Sequence, residues 1–119
     1  MTEAELLNCI VRRCEERGLL WYHSYDYRRV KMAGWPDLVI AGHGILFREL
    51  KSASGPVSAD QAAWRRALQA SGANWAVWRP ADLESGCVDR ELRQLTICGL
   101  PGHDGHEPPA LEPVSHLAA

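Results

Sequence analysis

The chain has 119 residues, of which 46% are hydrophobic and 24% charged, and its formal net charge is −2 at pH 7. This length fits one domain, and the hydrophobic fraction is large enough to build a buried core. No apolar run reaches 18 residues and no signal-peptide pattern is present, which argues against a membrane or secreted protein and predicts a cytoplasmic one. The four cysteines lack the spacing of a disulfide framework, so we expect reduced thiols.

Charge is distributed unevenly along the chain. Residues 1–79 carry eleven Lys/Arg against eight Asp/Glu, whereas residues 80–119 carry two against seven. The mildly basic first part permits nucleic-acid binding but does not require it. Two ordinary solvated surfaces would account for the same pattern.

The first half of the chain predicts a helix, a strand and a hairpin. Apolar residues recur at three- and four-residue steps over 3–17, which is typical of a helix. The aromatic-rich residues 19–25 predict a strand, and the polar, basic residues 26–36 predict a loop. Residues 37–41 and 45–51 flank a Gly-His-Gly turn and predict a β-hairpin.

The second half predicts a helix, a strand and a short helix. Ser58 and Gln61 have the spacing of a capping box, which predicts a helix over about 59–71. The residues expected to face the core from this helix are Ala62, Ala63, Trp64 and Leu68. Residues 74–79 predict a strand that Pro80 ends, so that a right-handed crossover would pair it in parallel with the second hairpin strand.

The C-terminal part is set apart by composition. Residues 88–95 predict a short helix within an extension over 86–98, after a main domain over 1–85. Residues 99–119 are rich in Pro, Gly and His and predict a disordered acidic tail. The expected fold is therefore a small α/β layer.

Two acids and a lysine come together in the predicted hairpin. A simple register about the turn places Asp37 directly across from Glu49, and the two-residue period of a strand puts Lys51 on the same face as Glu49. Opposed carboxylates repel each other and need a cation, which Lys51 or a divalent Mg²⁺ or Mn²⁺ ion would supply. The alternative is that Asp37 caps a turn while Glu49 and Lys51 form a surface salt pair.

Three stretches together carry a family resemblance. They are Gly-Trp-Pro-Asp (34–37), Glu-Leu-Lys (49–51) and Ser-Ala-Asp-Gln (58–61). Their identity, order and spacing resemble the PD-(D/E)xK nuclease superfamily, and more closely the virus-type replication-repair nuclease (VRR-NUC) family, over roughly residues 3–84. The resemblance implies a restriction-endonuclease-like core with a small mixed sheet flanked by helices. It also implies a Mg²⁺- or Mn²⁺-dependent DNA endonuclease of phage or bacterial replication, recombination or repair.

The resemblance implies a role for each matching residue in the hairpin. Asp37 and Glu49 would be metal ligands, with the backbone carbonyl of Leu50 as a further ligand. Lys51 would orient or activate the attacking water and stabilise the charge that develops on the phosphate.

Residues of the two predicted helices would complete the site. Gln61 resembles the family glutamine that supports the site. An acid of the first helix would complete the metal shell, and its distance from Gly18 favours Glu5, with Glu3 as the alternative. Both acids are equally explained as solvated residues of a first helical turn, where the helix dipole favours them.

DNA is the expected partner, and branched or otherwise structured DNA in particular. Arg28, Arg29 and Lys31 precede Asp37 and would hold the phosphate backbone, unless they are simply solvated. His23 would touch DNA or the scissile phosphate, or else be a structural histidine. Economy of size and related junction-resolving enzymes suggest a homodimer.

Other interpretations stay open. The same fold could serve as a catalytically silent DNA-binding module, or the motif could occur by chance in a general α/β domain. A zinc site would draw on Cys87, Cys98, His103 and His106, but their spacing matches no usual zinc motif.

Overall fold

The computed structural model describes residues 1–24 and 32–96, which form four strands and four helices. The strands are β1 (Leu20–His23), β2 (Leu38–Ala41), β3 (Ile45–Leu50) and β4 (Asn74–Trp78). The helices are α1 (Glu3–Glu16), α2 (Ala59–Ala70), α3 (Pro80–Glu84) and α4 (Cys87–Thr96). The predicted order of helix, strand, hairpin, helix and strand is confirmed.

The described strands form one mixed sheet in the order β1-β2-β3-β4. β2 pairs antiparallel with both β1 and β3, whereas β3 and β4 are parallel and are connected through α2. Within the hairpin, Leu38 pairs with Arg48 and Ala41 pairs with Ile45. This is the predicted register, and the predicted α/β class with a small mixed sheet flanked by helices is confirmed.

One face of the sheet packs against α1 and α4. The core on this face consists of Leu6, Ile10, Cys14, Leu19, Leu38, Ile40, Leu46, Leu50, Trp78, Val88, Leu92 and Leu95. Along β3 the core residues alternate with residues of the opposite face, as the strand period requires. Because α4 supplies the last three of these residues, it shares one core with the segment 1–85.

Helix α2 lies on the opposite face, against β3 and β4. Trp64 packs edge-on against Trp35, and Trp35 packs edge-on against Phe47 of β3. Of the four residues predicted to face the core from α2, Ala62, Trp64 and Leu68 are half-buried, whereas Ala63 is exposed, and no residue of this helix is fully buried. Large aromatic side chains therefore provide much of the contact between this helix and the sheet.

Helix α3 was not predicted from the sequence. β4 ends at Trp78, and Pro80 occupies the first position of the new helix, where its missing N–H costs nothing. The backbone N–H of Arg79 donates to Asp82 Oδ2 at 2.8 Å. The helix therefore turns the chain directly from β4 towards α4.

Some predictions fall on residues that are not described. The predicted loop over 26–36 is described only from residue 32, and the predicted disordered tail over 99–119 lies outside the described residues. Among the helices that the structure does describe, none is long and apolar enough to cross a membrane.

Candidate active site

The segment before β2 is held in place by the end of β1. Ser24 is buried, its hydroxyl donates to the carbonyl of Pro36 at 2.8 Å, and its backbone N–H donates to the carbonyl of Asp37 at 2.9 Å. A serine next to an aromatic strand gave no sequence signal for this role. These bonds fix the backbone at the point where Asp37 enters the sheet.

Helix α2 holds the same segment from the other side. Trp64 Nε1 donates to the carbonyl of Ala33 at 3.0 Å. Gly34 has φ of +84°, and a Cβ atom at this position would lie 2.3 Å from the backbone oxygen of Asp60 in α2. Only glycine permits this conformation together with so close an approach. The Gly-Trp-Pro-Asp stretch is therefore shaped by its contact with α2.

Asp37 stands where β2 and β3 part. The last backbone pair of the hairpin on this side is Leu38 with Arg48, and Asp37 Oδ2 then accepts a hydrogen bond from the backbone N–H of Leu50 at 2.9 Å. The carboxylate thus takes the place of a backbone partner in the ladder. This bond fixes the carboxylate at the carboxyl end of β3.

Glu49 and Lys51 occupy adjoining positions on β3. The hairpin register places Glu49 next to Asp37, and cross-strand neighbours have Cβ atoms about 5 Å apart. Glu49 is 0% exposed, whereas Lys51 is half-buried at the end of the strand. The backbone N–H of Lys51 donates to the carbonyl of Trp78, which keeps this position aligned with β4.

A cavity of about 230 Å³ opens at this end of the sheet. Its lining residues are Glu3, Ala4, Leu7, His23, Asp37 and Leu50. The cavity therefore brings the first turn of α1, the end of β1 and the start of β2 to one place. Of the residues singled out from the sequence, it joins Glu3, His23, Asp37 and Leu50.

The two acids of the first helical turn have different surroundings. Glu3 lines the cavity. Glu5 closes a capping box, because its Oε1 accepts from the N–H of Thr2 at 3.0 Å and its own N–H donates to Thr2 Oγ1 at 3.1 Å. The hydrogen bonds from Thr2 lower the pKa of Glu5. Glu3, the alternative of the two, therefore lines the same cavity as Asp37.

Gln61 caps α2, as the spacing predicted. Its Oε1 accepts from the N–H of Ser58 at 2.9 Å, and its N–H donates to Ser58 Oγ at 3.1 Å. Gln61 is not one of the residues that line the cavity. The proposed support from Gln61 would therefore act through the start of α2, next to Gly34.

Arg48 is a buried cation of β3, on the face of the sheet opposite to Glu49 and Lys51. It is 1% exposed, and its guanidinium lies 4.9 Å from the centre of the Trp78 ring and bonds to Glu91 Oε1 at 3.1 Å. Burial lowers the pKa of Arg48, while Glu91 opposes that shift. The strand period places Arg48 on the core side, which signals the need for a partner but does not identify it.

The donor atoms at the cavity suit a hard divalent cation. Within residues 1–24 and 32–96, no three His, Cys, Asp or Glu side chains come together as a ready metal site. Mg²⁺ typically takes only one or two protein carboxylates and keeps several waters, so Asp37 fits its demand together with Glu3 of the cavity or with Glu49, its neighbour on β3 outside the cavity lining. Arg28, Arg29 and Lys31, the predicted DNA contacts, lie outside the described residues.

Of the four residues of the alternative zinc site, Cys87 lies in the described part of the chain. Cys87 Sγ lies 3.5 Å from Glu91 Oε2, and burial together with this carboxylate raises the pKa of the thiol. A raised thiol pKa works against a zinc thiolate. Cys98, His103 and His106 lie outside the described part of the chain.

Comparison with known proteins shows the fold. No protein-family model matches the sequence, and no curated protein matches it. A solved structure described as a VRR_NUC domain protein is similar, with a TM-score of 0.60 and 20% sequence identity, over 80% of this chain and 90% of that chain. The chain therefore shares the fold of that domain, which agrees with the expected small mixed sheet flanked by helices.

Proposed function

We propose that this protein is a metal-dependent nuclease that hydrolyses phosphodiester bonds in DNA. The observation that carries the proposal is the Asp37 carboxylate, fixed by the Leu50 N–H where β2 and β3 part. Glu49 and Lys51 adjoin it on β3, and the cavity beside it includes Glu3. Two acids and a lysine at one end of a mixed sheet match the motif on which the sequence resemblance rests.

Mg²⁺ or Mn²⁺ is the proposed cofactor. Asp37 and Glu49 would hold the ion, with the Leu50 carbonyl and Glu3 as further oxygen donors. When bound, such an ion polarises the scissile phosphate and lowers the pKa of a coordinated water. Glu3 is preferred to Glu5 because Glu3 lines the cavity while Glu5 is engaged with Thr2.

The chain's own residues would orient the reactants. Lys51 places an ammonium group at the end of β3, where it would position the attacking water and stabilise charge on the phosphate oxygens. His23 lines the cavity and would contact the substrate strand. Arg28, Arg29 and Lys31 would bind neighbouring phosphates, and Gln61 would support the site through α2.

A cleavage assay tests the proposal. The protein is incubated with supercoiled plasmid and with nicked, flapped and four-way junction DNA, in Mg²⁺, Mn²⁺ or EDTA. We expect cleavage in either metal and none in EDTA, and loss of cleavage in Asp37→Asn and Lys51→Ala. Glu15→Gln, which changes an exposed acid near the end of α1, is the matched control and should keep full activity. Full activity in either site variant would refute the assignment.

The same assay separates the finer proposals. Preferential cutting of the junction or flap supports selectivity for branched DNA, whereas equal cutting of all substrates contradicts it. Gel shifts without cutting would instead indicate the catalytically silent DNA-binding module.

A homodimer is the proposed assembly. Among the described strands β1 lies at an edge of the sheet, and Leu20 and Tyr22 on it are 76% and 64% exposed. Edge strands with exposed apolar side chains favour pairing with another chain. Light scattering that shows only monomer at the assay concentration would contradict this proposal.

A further inference from the structure

We propose that Arg79 forms a second phosphate-binding subsite beside Lys51. This inference rests on the proposed function and adds a residue that the motif does not contain. The subsite would bind a phosphodiester group of the substrate strand next to the one that is cut.

The parallel pairing of β3 and β4 brings the two cations together. Leu50 pairs with Trp78, and the N–H of Lys51 donates to the carbonyl of Trp78 at 3.1 Å. Arg79 keeps an extended backbone, with φ of −124° and ψ of 166°. Lys51 and Arg79 therefore occupy the next register position, on the same face of the sheet as Glu49, with Cα atoms about 4.8 Å apart.

The Arg79 side chain reaches across the end of β3. Its Nη1 donates to the carbonyl of Ser52, the residue after Lys51, at 2.7 Å. A guanidinium has five N–H donors, so this bond leaves the group with further donors for a ligand. Asp82, the carboxylate nearest in sequence, is used by the backbone N–H of Arg79.

Lys51 and Arg79 both lie outside the ion pairs that the described residues form. In the described part of the chain, no carboxylate forms an ion pair with Lys51 or Arg79, whereas Arg13, Arg17 and Arg48 each pair with an acid of α4. Two adjacent cations on one face repel each other, and a phosphate group beside them relieves that repulsion.

The chemistry of the two side chains assigns different tasks to them. A guanidinium binds phosphate through a planar fork of N–H groups, while an ammonium acts as a point charge. With Lys51 at the reacting phosphate, Arg79 is one strand spacing away and reaches the adjacent phosphate of the same strand. Such a contact raises affinity for DNA without reading its sequence.

The salt dependence of DNA binding distinguishes a phosphate-binding Arg79 from an Arg79 that only stabilises the loop through its hydrogen bond to Ser52. Binding of a fluorescein-labelled DNA duplex is measured by anisotropy in EDTA, so that no strand is cut, between about 50 and 200 mM NaCl. Each lost phosphate contact lowers the slope of log K against log salt by about 1. We expect Arg79→Gln to lose about 1 from the slope and roughly tenfold in affinity at low salt.

Two further variants make the result decisive. Arg79→Lys keeps the charge and should keep the slope, and Arg93→Gln, which removes an exposed arginine of α4, should match the wild type. An unchanged slope in Arg79→Gln, with a lower melting temperature, would show that Arg79 only clamps the loop and would overturn the inference. Failure of the wild type to bind or cut DNA would instead overturn the proposed function.

Discussion

Removal of the Glu91 carboxylate should destabilise the protein more than removal of the other paired carboxylate of α4, that of Asp89. Glu91 Oε1 accepts hydrogen bonds from Arg48 at 3.1 Å and from Trp78 Nε1 at 2.8 Å. In Glu91→Ala the guanidinium of Arg48, 1% exposed, keeps its bonds to the carbonyls of Phe47 and Asn74 but loses its only charged partner among the described residues.

The expected cost follows from the burial of the pair. Leaving one charge of a buried ion pair without its partner costs about 3–5 kcal/mol. Glu91 itself is 27% exposed, so water screens part of the interaction and the lower end, about 3 kcal/mol, applies. Glu91→Gln retains an oxygen acceptor and should cost less, about 1–2 kcal/mol.

Asp89, two residues before Glu91 on the same helix, provides the control. It pairs with Arg13 and Arg17, and the three side chains are 27–34% exposed. Asp89→Ala should therefore cost no more than about 1 kcal/mol. Urea unfolding followed by tryptophan fluorescence measures all three variants. Equal losses in Glu91→Ala and Asp89→Ala would refute the view that burial of Arg48 sets the cost.

Three further predictions concern the site and the core. Glu3→Gln should reduce cleavage by on the order of tenfold or more, whereas Glu5→Gln preserves the capping box and should keep the wild-type cleavage rate. Equal activity of both variants in a plasmid-nicking assay would contradict the assignment of Glu3 to the site. Gly34→Ala should lower the melting temperature more than Gly72→Ala. Both glycines have positive φ, but only at Gly34 would an added Cβ atom clash with backbone atoms. Equal shifts of the melting temperature in the two variants would contradict the importance of this close contact. Burial raises the pKa of Cys14 from 9.0 to about 11, so its stabilising contribution is complete below pH 9.0 and is lost as the pH rises towards 11. Between pH 9.0 and about 11 the unfolding free energy of the wild type should therefore approach that of Cys14→Ala. A constant difference between the two unfolding free energies over this pH range would contradict the raised pKa of Cys14.

Local patterns in the sequence were enough to predict the order of elements and the register of the hairpin. A short turn leaves little freedom in pairing, so the pairing of Leu38 with Arg48 follows from the position of the turn alone. The capping box of Ser58 and Gln61 is equally local, because both partners lie within one helical turn. For the same reason Asp37 and Glu49 could be placed side by side without a structure.

Contacts between distant segments could be decided only by the tertiary structure. The partner of Arg48 lies 43 residues away on α4, and Arg79 reaches Ser52 across 27 residues. Whether Glu3 or Glu5 lines the cavity depends on how α1 packs on the sheet, and it is Glu3 that lines it while Glu5 closes the capping box. Periodicity assigns a residue to a face, but the neighbour that it meets there is set by how whole elements pack around one core.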